Sequence, residues 1–319
     1  MQVTVGARAV VLGLCCLLLS SVRGVRQCDA EILSLPFDES RYKVYHVPGM
    51  NADFYVDPEA PGDILKIDIM AGKTWEKEIR ELVLKYTKEG SVAVDVGSHI
   101  GTHTIEMSRA VGPTGTVHSF EPQKRLCAEQ LRNLRINGCD NVFLHRKALG
   151  ECARKILLGR PPLHEGGCFV LRGGENREGI EVDDEGADMV TLDSLNLENV
   201  SLIKADIEFY EYFMFKGGRE TIQRCRPVIV FELLTAPQLE VSIKNLSKDV
   251  AEHALNSKKL LKSYGYTVKK IDIANYIGFP TEKMAQLKEE ASKKSTGYSP
   301  KRHRQKRGTK RRREQARKK

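Results

Sequence analysis

Three groups of residues have types and spacing suited to chemistry. The first is Val94-Asp95-Val96-Gly97-Ser98-His99-Ile100-Gly101, an apolar run that ends in small residues and passes straight into a helical pattern. The second is Phe120-Glu121-Pro122, an acid at the end of the next apolar run. The third is Asp206, Glu208 and Glu211, which follow Leu202-Ile203-Lys204-Ala205. If each run is a strand of a parallel sheet, all three groups fall at the carboxyl ends of strands, where open α/β sheets bind ligands. A dinucleotide loop reads G-x-G-x-x-G and sets its backbone against a pyrophosphate. Here Asp95 holds the first glycine position, and a carboxylate there repels a pyrophosphate but suits a cationic or hydroxyl-bearing ligand. Glu121 is placed to accept both ribose hydroxyls. Asp95 and Glu121 together point to a nucleoside without phosphates, S-adenosylmethionine, with Gly97, His99 and Gly101 in the same loop.

The elements that must position these groups follow from hydrophobic periodicity. Trp75, Ile79, Leu82, Val83 and Tyr86 share one helical face, and Lys88-Glu89-Gly90 ends that helix. Trp75 reads as a core anchor. Strands at Val92–Val94, Thr116–Phe120, Asn141–Leu144, Leu202–Ala205 and Val228–Phe231 alternate with helical patterns at Thr104–Val111, Leu126–Ile136, Tyr210–Phe215 and Leu255–Tyr264. That alternation implies right-handed βαβ crossovers and a parallel sheet, closed by a strand at Thr267–Ile273. Residues 152–189 break the rhythm with Pro161-Pro162, Gly166-Gly167 and Gly173-Gly174, and are expected to form a loop or hairpin excursion of the kind that carries substrate contacts.

The blocks also resemble a known family. Val94 to Thr104, Gly115 to Pro122, Asn137-Gly138, Asn141-Val142, Thr191 to Leu195, Ile203-Lys204-Ala205-Asp206-Ile207-Glu208 with Glu211, Arg226 to Glu232, and Asn275-Tyr276 near Pro280 are similar in order and spacing to FkbM-type class I methyltransferases. The resemblance implies an α/β, Rossmann-like, doubly wound and mostly parallel seven-stranded sheet, S-adenosylmethionine as donor, and transfer to a hydroxyl oxygen, often of a sugar or natural product. Two departures stand out. His99 replaces a common Asn, and Phe209 replaces a common Gly and is expected to put a bulky ring beside the reaction centre.

Methyl transfer from a sulfonium is an in-line displacement, and an alcohol acceptor needs a base. Asp206 or Glu208 is expected to be that base or to position the acceptor, with His103 as the competing base. Ala148, after the third strand, is a candidate backbone contact to adenine. Asn137 and Asn141 read as turn residues. Glu232 reads equally as a second acid near the acceptor or a strand-end hydrogen-bond partner. Acids at strand ends need no ion if they serve cofactor and acceptor, so no metal site is expected.

The chain of 319 residues is 41% apolar and 29% charged, enough for a buried core and against wholesale disorder. Its net charge of +9 is uneven. The segment 293–319 holds 14 Lys or Arg against Glu314, which leaves the remaining chain at −4. The expected organisation is a signal peptide at 1–24, an N-terminal extension at 25–74, the methyltransferase domain at 75–280, and a polar helix with a disordered basic tail at 281–319. The uninterrupted apolar run Ala9–Leu19 after Arg8 is too short for a membrane span and suits a removed secretory signal, with an uncleaved anchor as the alternative. A lumenal or secreted location follows, with no stable membrane insertion after signal removal. The expected partners are a small-molecule or glycan acceptor and a polyanion on residues 301–319. Among Cys28, Cys127, Cys139, Cys152, Cys168 and Cys225 no C-x-x-C spacing occurs, which argues against zinc. The rival readings are a binding protein that has lost turnover and a nicotinamide-dependent oxidoreductase; Asp95 argues against the second.

Overall fold

The computed structural model describes residues 27–28, 30–59, 62–162, 166–173, 178–233 and 247–284. The leader at 1–24 and the basic tail at 301–319 lie outside the described residues. The chain divides into one unit up to Pro280 and a second from Thr281, of which a helical turn at 281–284 is described. Among the described residues no helix is long and apolar enough to cross a membrane.

In chain order the strands are β1 (Gln27–Cys28), β2 (Lys43–Val47), β3 (Ala52–Val56), β4 (Val92–Val96), β5 (Thr116–Phe120), β6 (Val142–His145), β7 (Lys147–Leu149), β8 (Arg154–Arg160), β9 (Phe169–Leu171), β10 (Glu181–Val190), β11 (Val200–Ala205), β12 (Val228–Glu232), β13 (Tyr266–Lys270) and β14 (Asn275–Pro280). The helices are α1 (Ala30–Leu33), α2 (Ile64–Met70), α3 (Lys77–Tyr86), α4 (Thr102–Val111), α5 (Lys124–Ile136), α6 (Glu211–Gly217), α7 (Arg219–Cys225), α8 (Lys248–Ala254) and α9 (Ser257–Ser263).

The central sheet runs β1-β6-β5-β4-β11-β12-β14-β13. From β6 to β13 it is the expected seven-stranded, doubly wound sheet of a class I methyltransferase, and the N-terminal segment adds β1 as an eighth strand parallel to β6. Strands β6, β5, β4, β11 and β12 are parallel to one another, whereas β14 is antiparallel to both β12 and β13. Buried on both faces, β11 and β12 read as near-continuous apolar runs, as parallel strands between helical layers must. One core joins these strands to α6, α7 and α9 through Ile203, Met214, Phe215, Ile222, Phe231 and Leu261.

Two local expectations change, and the extension takes definite form. The described residues of the excursion at 152–189 supply β8, β9 and most of β10, which with β7 form a four-stranded sheet, β7-β10-β8-β9, around a core of Ile156, Leu158, Phe169, Met189, Phe209 and Phe213. The closing segment is a hairpin: residues after Lys270 turn on Asp272, which accepts the backbone N–H groups of Ala274 and Asn275, and β14 then inserts between β12 and β13. The N-terminal extension forms the β2–β3 hairpin and α2, packs against α5, and belongs to the same compact unit as the sheet.

Register decides where the chemistry sits. Val96 is paired with Phe120 on one side and Ala205 on the other, and Ala205 with Phe231. The residues after these positions, Gly97, Glu121, Asp206 and Glu232, therefore emerge in one row at the carboxyl edge of the sheet.

Candidate active site

A cavity of about 270 Å³ opens on this row. Its walls include Gly97, Ser98 and His99 from the first loop, Glu121 and Pro122 from the second, Ala148 after β6, and Lys204, Asp206, Glu208 and Glu232 from the third and fourth strand ends. The far walls are Asp63, Ile64 and Leu65 of the N-terminal extension, Trp75 and Glu76 before α3, and Leu158, Cys168, Phe169 and Val170 of the small sheet. Trp75 is thus a cavity residue ahead of the helix, and both the extension and the excursion contribute walls.

At the cofactor end, the peptide N–H groups of Gly97 and Ser98 donate to the Phe120 carbonyl at 3.0 Å each, which ties the loop to β5. Gly97 has φ +74°, and a Cβ there would stand 1.8 Å from the Asp206 carbonyl oxygen, so no other residue fits. His99 also lies in the left-handed region, at φ +53°. Its backbone N–H donates to Glu121 Oε2 at 2.9 Å, and the N–H of Gln123 donates to Oε1 at 2.9 Å. The Glu121 carboxyl is buried, which pushes its pKa up against those two backbone bonds. Each oxygen retains a lone pair for a hydroxyl.

Asp95 and Gly101 do not line the cavity. Asp95 is fully buried, and its Oδ2 accepts from Thr104 Oγ1 at 2.6 Å within a cluster that includes Ser119, Gln130 and Ser98. Gly101, at φ +91°, begins α4 against the Gln130 side chain. Both fix the loop from behind.

The extension reaches this end through Asp63. That residue caps α2 by accepting the Lys66 N–H at 3.1 Å, and its Oδ2 lies 3.1 Å from His99 Nε2. Burial raises the Asp63 pKa, but His99 and Lys66 outweigh it and bring it down to about 2. Behind it, fully buried Lys66 pairs with fully buried Glu129 at 2.8 Å, and Tyr42 and Arg125 also bond Glu129, at 2.9 and 3.0 Å.

At the opposite end, Lys204 Nζ lies 3.2 Å from Asp206 Oδ2. Burial disfavours the Lys204 charge, yet Asp206, Asp95 and Glu76 more than offset it and raise the pKa. Burial likewise raises Asp206, while Lys204 and a hydrogen bond from Glu232 hold it below the usual carboxylate range. Glu208 is pushed up to about 8 by burial and by the charges of Asp206 and Glu211, and Glu211 also to about 8, mainly by burial. The oxygens of Asp206, Glu208 and Glu232 lie within 4.8 Å of one another. Glu232, rather than the expected Glu211, thus completes a trio with Asp206 and Glu208 close enough to share an ion, and Lys204 already supplies a positive charge beside it. His103, almost fully buried, faces Glu76 Oε2 at 3.1 Å and lines the same cavity. Lys204 and Glu232 join Asp206, Glu208 and His103 as groups facing the acceptor space.

Phe209 corrects the expectation of a ring in the reaction centre. It is 7% exposed, does not line the cavity, and packs in the core beneath the small sheet. The backbone shows why a glycine suits this position: Glu208 and Phe209 sit at φ +50° and +74°. Positive φ costs a bulky residue ~1–3 kcal/mol, whereas burying a Phe ring contributes ~3–5 kcal/mol. Phe209→Gly is thus expected to destabilise by about 2 kcal/mol, and Phe209→Ala by more, because alanine loses the ring and keeps the strain. Urea denaturation gives the order, and a more stable alanine variant would refute it.

The residues fit a phosphate-free nucleoside bearing a cation. Among the described residues, buried Asp95 Oδ1, His99 Nδ1 and His103 Nδ1 have no hydrogen-bond partner, and both histidines line the cavity. The cofactor end offers the Glu121 carboxylate, an acceptor for ribose hydroxyls.

A class I methyltransferase sheet with an acidic loop at its second strand defines the class, and the comparison with known families gives the member. The methyltransferase FkbM domain matches residues 95–268, more than half the chain, and the chain belongs to that family, whose methyl donor is S-adenosylmethionine. No curated protein matches. Among solved structures, the chain is similar to a methyltransferase FkbM from Methylobacillus flagellatus KT (17% identity, 60% of this chain and 44% of that one, TM-score 0.38). It is also similar to an O-methyltransferase from Bacillus cereus in complex with SAH (14% identity, 68% and 88%, TM-score 0.43). The alignment thus spans less than half the length of the Methylobacillus protein.

Proposed function

We propose that this methyltransferase acts on oxygen, at a hydroxyl of a sugar, glycan or small natural product, within the secretory pathway. The observation that carries the reading is the far end of the cavity, where Lys204 Nζ lies 3.2 Å from Asp206 and holds its pKa down, beside Glu208 and Glu232, whose pKa values burial and neighbouring acids push up. One charged carboxylate supplies a base, and its neutral neighbours supply the donors and acceptors that a polyhydroxyl acceptor uses. Bound at the Glu121 end, S-adenosylmethionine would supply an electrophilic methyl. Glu121 and the Gly97–His99 loop would hold its nucleoside, and Asp206 would take the hydroxyl proton, with His103, oriented by Glu76, as the alternative base. Trp75 and the small-sheet residues would exclude water. Residues 1–24 support entry into the secretory pathway, and 301–319 support contact with a polyanion. Phe209, packed in the core of the small sheet, leaves this space open.

Trp75 is the sole tryptophan of the chain and lines the cavity. Its fluorescence is expected to change on adding S-adenosylmethionine to the full-length chain, with micromolar affinity, about −8 kcal/mol. Methyl-labelled donor then identifies the product. An alkali-stable methyl ether on a hydroxylated acceptor supports the assignment, whereas an alkali-labile ester or an N-methyl product overturns it.

A further inference from the structure

The trio at the acceptor end poses a charge problem. Asp206, Glu208 and Glu232 place carboxylate oxygens within 4.8 Å of one another, at the ends of the adjacent strands β11 and β12. The other charged or titratable groups facing them are Lys204 on β11, Asp95 on β4, Glu211 on α6, His103 on α4 and Glu76 before α3. Lys204 is the one ammonium in that set, and acids this close do not all ionise beside a single cation. The cluster must hold protons.

Resting on the methyl-transfer reading, we propose that Glu232 is a further catalytic residue, paired with Asp206 around one shared proton that leaves when a sulfonium enters the cavity and is replaced by the proton of the acceptor hydroxyl. Two structural facts favour Glu232 for this role. Its carboxylate lies within 4.8 Å of that of Asp206 at the end of the adjacent strand, and Asp206, itself held to Lys204 at 3.2 Å, keeps 32% of its side chain open. Burial and the charge of Asp206 push the Glu232 pKa up to about 11, so it is the donor of the pair and Asp206 the acceptor.

The cycle balances. With the cavity empty, the pair carries one proton and one negative charge, matched by Lys204. A bound sulfonium adds a positive charge, and the pair compensates by releasing its proton to solvent. During transfer the acceptor's O–H bond breaks and its C–O bond forms. The S–CH3 bond breaks with its electron pair going to sulfur, and the pair takes the hydroxyl proton. The strand ends thus see the same net charge before and after transfer.

S-adenosylhomocysteine has the same nucleoside, amine and carboxylate but a neutral sulfur, so comparing it with S-adenosylmethionine isolates the sulfonium. The full-length chain is titrated calorimetrically with each at neutral pH, in phosphate and in Tris, whose ionisation enthalpies differ; the buffer dependence of the heat counts protons. S-adenosylmethionine is expected to release about one proton more than S-adenosylhomocysteine. Glu232→Gln and, separately, Asp206→Asn should each erase that difference while Trp75 fluorescence still reports binding. Equal proton release for the two ligands in the wild type overturns the proposal, as does an unchanged difference in Glu232→Gln. A difference that vanishes on adding EDTA and returns with Mg²⁺ also overturns it, because the acids would then be ion ligands. Absence of binding by either ligand removes the donor reading and the pair's role with it.

Discussion

Glu121→Ala is expected to weaken S-adenosylmethionine binding by about 10²–10³-fold, measured by Trp75 fluorescence or calorimetry. The Glu121 carboxylate is buried, accepts the His99 and Gln123 N–H groups, and faces the cavity with its remaining lone pairs. Truncation removes an acceptor worth ~1.5–3 kcal/mol per charge-assisted bond and leaves two buried N–H groups unpaired. Because one of those belongs to His99, which also holds Asp63, the loop loosens along with the lost ligand contact. Glu121→Gln keeps one carbonyl oxygen and should cost only about tenfold. If the alanine variant binds within threefold of wild type, the carboxylate does not contact the nucleoside.

The second large effect concerns stability. Lys66→Met is expected to destabilise the fold by ~3–5 kcal/mol, the usual consequence of leaving a buried charge without its partner. Lys66 and Glu129 are both fully inaccessible, 2.8 Å apart. Arg125 and Tyr42 remain to bond Glu129, which places the cost toward the lower end of that range. Replacing both buried partners with apolar residues, Lys66→Met with Glu129→Leu, should recover most of the loss, since a buried ion pair exchanged for packed side chains is often neutral. Urea denaturation of the single and double variants checks this, and a single variant as stable as wild type would show the pair to be dispensable. Acid should weaken the same region. The pKa of Asp63 falls from the ordinary 3.8 to about 2, so its contribution is complete above pH ~4 and lost as pH drops through ~2.

Much of the sheet was legible because its strands are buried on both faces and announce themselves as apolar runs between helical patterns. Gly97, Glu121, Asp206 and Glu208 were legible for a related reason: strand ends in a parallel sheet converge, so motif residues at those ends meet without any knowledge of side-chain contacts. What escaped was whatever depends on pairing between distant segments. Asp63 and Glu76 lie in or next to the extension and have no local signature; their role comes from His99 and His103, which they meet only in the folded chain. Lys204 did carry a signal, a lone cation inside a fully buried apolar strand, which has to face an acid. Asp95 misleads in the opposite sense, since its spacing suits a ligand contact while Thr104, nine residues on in the first turn of α4, bonds it first. The strand β14 was missed because Asn275 to Pro280 follows β13 after only a four-residue turn, with no helical pattern between them of the kind that separates the parallel strands.

That inserted strand has a consequence for biosynthesis. The edge of β12 is completed by β14, the last strand in chain order among the described residues, and β4 meets β11 across more than a hundred residues of chain. The sheet cannot close until Pro280 has emerged from the ribosome, and pairings this distant form slowly. Any nascent chain ending near Ile273 would present Val228-Ile229-Val230-Phe231 as an open, apolar edge, a template for association with other unfinished chains. Chaperone dependence during synthesis, rather than intrinsic instability of the finished protein, should therefore limit its yield.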